Sequence, residues 1–148
     1  MGRTMRLISV GVMLIALDVA GYAQGAVSWD IPALADREKN PLASDASALA
    51  RGKALYASYC VRCHGPEGRN DGPDANRDEA TADLTDGARI GINPDGVVFY
   101  KIWNGRFRPN MPAFGMKVSN GRQTQPGTLS RDEVWAVVTY VQTLRKLP

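Results

Sequence analysis

Histidine occurs once and cysteine twice in the 148 residues, and this scarcity excludes a good deal. Structural zinc wants four Cys or His ligands, and three are too few. A disulfide framework needs more than one possible pair. No run of lysine and arginine suggests nucleic acid as a partner. The longest apolar run, Leu7 to Leu17, is shorter than the roughly 18–20 residues of a membrane-spanning helix. Internal repeats, low-complexity tracts and persuasive β-hairpin patterns are also missing.

That apolar run has another reading. Arg3 and Arg6 precede it, and the small residues of Val19-Ala20-Gly21-Tyr22-Ala23 follow it. This order predicts a secretory signal peptide over residues 1–23, cleaved after Ala23, with Gly25 as the second choice of site. Cleavage would remove two arginines and one aspartate, lowering the formal charge from +3 to +2. An exported chain of near-neutral charge is expected.

The scarce residues are gathered in one place. Cys60-Val61-Arg62-Cys63-His64 contains both cysteines and the histidine, in the order C-x-x-C-H. This is the attachment signature for c-type haem. Two thiols at this spacing can each bond one vinyl group of a porphyrin, and the adjacent imidazole can reach the iron. A thiol oxidoreductase also uses C-x-x-C, but at a strand-to-helix junction in a βαβ pattern, and no such strands are predicted here.

Three helices are legible around this motif. The first is expected from about Asp45 to Tyr59, with Ser44 or Asp45 as cap. Gly52 inside it costs about 1 kcal/mol relative to alanine and has two readings: a tolerated glycine, or a place where another helix crosses. A second helix fits Pro94 to Trp103, capped by Asn93 and stopped by Gly105. The third has a capping box, Ser130 with Glu133, and a staple of Leu129 on Val134. Its apolar stripe is Val134, Val137, Val138, Val141 and Leu144, and Arg145 and Lys146 are expected in its last turn. Residues 24–43 read as an irregular arm with Trp29 its one large apolar residue. Residues 65 to about 86 and 106–127 read as loops, the first long enough to wrap a haem edge.

The second axial ligand is approached by elimination. Beyond the signal peptide, only Met111 and Met116 offer a thioether. Met111 precedes Pro112, so a rigid turn can present its sulfur; Met116, lysine or an open site are the alternatives. A thioether favours ferrous iron. The ring N–H of His64 needs an acceptor, for which backbone carbonyls of the Gly72-Pro73 turn are the candidates. Trp103, Arg106 and Arg108 are candidate donors to the haem propionates.

From about Ser44 onward the chain resembles a class I, monohaem cytochrome c. The attachment motif, the Met111-Pro112 loop and the terminal helix stand in the family's order. Gly52 and Tyr56 stand where the family's first helix crosses its last, and Val137 and Tyr140 fit the partner positions. The resemblance implies an all-α domain of three to four helices over 44–148, packed around one haem c held by Cys60 and Cys63. It implies His64 and Met111 as axial ligands, with Pro73 at the position of the carbonyl that accepts from the histidine. The implied activity is one-electron transfer in a bacterial periplasm, not catalysis. A dehydrogenase or quinol-oxidising complex would be the donor, and an oxidase or reductase the acceptor. The rival readings are a haem c subunit of a dehydrogenase that docks through the 24–43 arm, and a ligand-binding or catalytic haem protein with an open sixth site.

Overall fold

The computed structural model describes residues 29–75, 82–89, 92–106, 111–115, 117–119, 122–125 and 127–145. The expected signal peptide, Arg108 and Met116 lie outside them. The described chain is mostly helical, as expected. Helix α1 spans Ala46–Tyr59, the short α2 Val61–His64, α3 Asp95–Asn104 and α4 Arg131–Leu144.

Local chemistry sets the ends of these helices. The Asp45 carboxylate accepts from the backbone N–H groups of Ser47 and Ala48 and caps α1. Ser130 and Glu133 close the capping box of α4. Helix α3 departs from expectation at its start. Its cap position is Pro94, whose side chain has no acceptor, and Asn93 Oδ1 accepts from Lys101 Nζ. Helix α4 stops at Leu144, and Arg145 already has extended backbone; Lys146 lies outside the described residues.

Helices α1 and α4 cross at Gly52. A Cβ there would lie 1.9 Å from the Ala136 carbonyl oxygen, so the crossing depends on its absence. One turn on, Tyr56 packs on Tyr140 with ring centroids 5.1 Å apart. The second reading of Gly52 is the right one. Around the crossing, Tyr56, Val98, Phe99, Ile102, Val134, Val137, Val138 and Val141 form the core. Burying such side chains stabilises a fold by about 1.5–3 kcal/mol each.

The described part of the arm folds back onto the helices. Ala35–Arg37 form a 3₁₀ turn against α3. The carbonyl of Ala35 would lie 2.0 Å from a Cβ at Gly96. Buried Asn40 donates to the Trp135 carbonyl and to Thr139 Oγ1, at 3.2 and 2.9 Å. Glu38 pairs with Arg131 at 3.0 Å.

A second difference lies within 106–127. Lys117–Ser119 (β1) and Arg122–Gln125 (β2) pair antiparallel, with an irregularity between Lys117 and Val118. The dipeptide between them, Asn120-Gly121, is a strong hairpin signal. It was obscured because the flanking residues lack apolar alternation.

A candidate haem site built on Cys60, Cys63, His64 and Met111

Helix α1 delivers the attachment motif. Cys60 is its C-cap and also begins α2, which carries Cys63 and His64. The chain turns sharply after His64 at Gly65, whose φ of 79° lies in the left-handed region. The Tyr56 hydroxyl donates to the Gly65 carbonyl at 2.8 Å and fixes this turn to the core. Both cysteines are half-buried.

Met111 reaches the same cavity by a different route. Helix α3 ends at Gly105, with φ 62°. A Cβ there would lie 2.4 Å from the Met111 carbonyl oxygen. Arg106 and Met111 exchange two backbone hydrogen bonds of 2.8 Å, closing the loop between them. Phe114 and Gly115 then donate to the carbonyls of Ile102 and Trp103. Met111 is therefore pinned beside the last turn of α3.

These elements enclose a cavity of about 240 Å³. Cys60, Cys63 and His64 line it together with Met111. Val98, Ile102, Phe114, Val137 and Val141 give it apolar walls, and Ala82, Asp83 and Leu84 of the long loop border it. Lys101, Arg106 and Arg145 bring positive charge to it.

Burial dominates the electrostatics of the motif. Burial, with a smaller contribution from Cys63, pushes the Cys60 thiol up to about 12. Burial also holds His64 below the ordinary imidazole range, and a backbone hydrogen bond opposes that shift. That bond places His64 Nδ1 3.3 Å from the Ala82 carbonyl oxygen.

The acceptor was expected in the Gly72-Pro73 turn, and this differs. Pro73 is exposed and does not line the cavity. Its turn is stitched to α2 instead: Asp74 N–H donates to the Arg62 carbonyl at 2.7 Å. Trp103 also departs from expectation. It is absent from the cavity wall and stacks on Phe99, with ring centroids 5.4 Å apart. Phe99 in turn stacks on Trp135 at 4.1 Å, and the Arg131 guanidinium lies 4.7 Å from the Phe99 ring and 5.7 Å from that of Trp103. Arg106 does line the cavity. Sequence reasoning missed Ala82, Trp29, Lys101 and Arg145. Ala82 and Trp29 carry no local signal, while Lys101 shares the helical face of Val97, Val98 and Ile102.

The cavity suits a flat apolar group with carboxylates. Two thiols and an imidazole stand on its wall, a thioether is held by another element, and cations meet otherwise apolar side chains. These features fit haem c.

The family model for cytochrome c matches residues 49–145. No curated protein matches the chain. One similar solved structure is cytochrome cL from the marine methylotrophic bacterium Methylophaga aminisulfidivorans MPT. It has 19% identity and a TM-score of 0.47, over 71% of this chain and 60% of that one. Another is a reducing HAO-like protein complex of Kuenenia stuttgartiensis. It has 28% identity and a TM-score of 0.48, over 68% of this chain and 45% of that one. The chain thus spans less than two thirds of either. Its match to the family model extends from within α1 to the residue after α4. This chain belongs to the cytochrome c family, whose covalently bound haem c accounts for its paired cysteines.

Proposed function

We propose that the chain is a periplasmic one-electron carrier, exported by residues 1–23, with one haem c on Cys60 and Cys63 and with His64 and Met111 as axial ligands. The convergence of those four side chains on one cavity carries this reading. When bound, haem c supplies a ferric–ferrous couple whose potential is set by its ligands and its burial.

The chain's own residues divide the work. Donation from His64 Nδ1–H to Ala82 leaves the lone pair of Nε2 for iron. The loop closed by Arg106 holds Met111 in place without a covalent tie. Were His64 and Met111 both to hold the iron, no coordination site would remain for a substrate, which suits electron transfer rather than catalysis. Val137 and Val141 of α4 and Val98 and Ile102 of α3 would keep water from the apolar faces. The donor is a dehydrogenase or a quinol-oxidising complex, and the acceptor an oxidase or reductase. The described arm packs against its own helices through Ala35 and Asn40, which favours a free carrier over a subunit docked through that arm.

Intact mass and voltammetry of the exported protein test this reading. One covalent haem on a chain beginning at Gln24 and a reversible one-electron wave are expected. A mass without haem would overturn it.

A further inference from the structure

Trp29 precedes Cys60 by 31 residues, yet its indole borders the same cavity. Two cations meet its ring. The Arg106 guanidinium carbon lies 4.5 Å from the ring centroid and Lys101 Nζ 5.4 Å from it. Both distances are within the range of cation–π attraction. Both cations line the cavity too.

The backbone around Trp29 is held. Asn104 Nδ2, at the end of α3, donates to the carbonyl of the next residue, Asp30, at 2.8 Å. Further along, the Ala35–Arg37 turn packs on α3 and Asn40 is buried against α4. Trp29 is thus brought to the cavity by contacts made elsewhere in the arm.

We propose that Trp29 is a positioning residue: it covers part of the cavity and holds Arg106 there, beside the Lys101 that Asn93 also binds, raising the reduction potential of the bound haem. The inference rests on the haem assignment above. Its physical basis is the charge change at iron. The ferric state carries one more positive charge than the ferrous state. Water stabilises the more charged state, so covering the cavity favours the ferrous one. Cations kept nearby in a weakly screening interior favour it as well. Both effects act in the same direction. The Arg106–Met111 backbone bridge gives Trp29 a further link to the loop that carries Met111.

The test compares potentials of the full-length exported holoprotein and its variants. Trp29→Ala should lower the midpoint potential enough to raise the ferric-to-ferrous ratio about threefold at fixed applied potential. This is roughly 30 mV, at 59 mV per tenfold for one electron. Trp29→Phe keeps an aromatic face and should move less than half as far. Arg106→Gln should also lower the potential, and the double variant Trp29→Ala/Arg106→Gln should fall by less than the sum of the two. If Trp29→Ala does not assemble, Trp29→Leu against Trp29→Phe makes the same comparison. Unchanged potential in Trp29→Ala, equal potentials for the Leu and Phe variants, or strictly additive shifts would overturn the proposal. A parent protein lacking haem, or binding carbon monoxide readily, would instead defeat the functional reading beneath it.

Discussion

Gly52 and Ala136 meet backbone to backbone, so closely that a Cβ on Gly52 would lie 1.9 Å from the Ala136 carbonyl oxygen. This contact sets how near α1 comes to α4, and hence where Cys60 and Val137 stand. Both side chains line the cavity. Alanine would gain about 1 kcal/mol of helix propensity but would force the helices apart. Overpacking costs typically about 1–3 kcal/mol and sometimes more. Gly52→Ala should therefore destabilise the holoprotein by about 1 kcal/mol net or more, seen as a lower denaturant midpoint. A midpoint equal to that of the parent would show that the helices separate freely.

Gly105 serves the Met111 side of the site. It combines a positive φ with a 2.4 Å approach to the Met111 carbonyl. Gly105→Ala should leave haem attached to the cysteines but loosen the Met111 loop. Faster carbon monoxide binding to the reduced protein is the expected reading, at least about tenfold, corresponding to 1.4 kcal/mol. An unaltered rate would separate Met111 placement from this glycine.

Asn40 ties the arm to α4. It is buried and donates to Trp135 and Thr139, while its own Oδ1 accepts from Leu42 N–H at 2.9 Å. Truncating a side chain bonded in this way costs about 1–3 kcal/mol. Asn40→Ala should lower Tm by several degrees. It should also expose the arm to limited proteolysis before the helices are cut. Cleavage in the parent's order would contradict this.

The Glu133 carboxylate should contribute to acid sensitivity at the start of α4. The backbone N–H of Ser130 and the Arg51 guanidinium hold the Glu133 carboxyl below the usual carboxylate range. Its folded pKa is below its unfolded one. The stabilisation is therefore complete above the unfolded value, about 4.3, and is lost as pH falls through the folded value. Stability measured from pH 6 down to pH 3 should decline less steeply in Glu133→Gln than in the parent. Ser130→Ala should cost about 1 kcal/mol at neutral pH. Parallel pH profiles for parent and Glu133→Gln would refute the assignment.

What could be read from sequence was local or periodic. The α4 box and stripe, the Asp45 cap and the attachment motif each occupy one short stretch, and the structure places them as expected. The Gly52 crossing was legible because a helix-interior glycine lacks a local reason. Long-range choices were not legible. Ala82 offers only a backbone carbonyl, identical at every position, so nothing marked it as the partner of His64 18 residues before it. Trp103 was expected at the cavity as an N–H donor to a propionate. The step from Ile102 turns the helix by about 100°, given 3.6 residues per turn, and places Trp103 on the Phe99 column instead. Trp29 reaches the cavity only because the arm folds back, and the contacts that fold it back are distant in sequence.

The central claim is that His64 and Met111 fill both axial positions of one covalently attached haem. An absorption spectrum of the exported protein, oxidised and then reduced under carbon monoxide, tests it most directly. The account predicts a low-spin c-type spectrum, with the weak red band of sulfur-ligated ferric haem, and no change on adding carbon monoxide. A high-spin spectrum, or prompt conversion to the carbon monoxide form, would contradict it and point to an open sixth site.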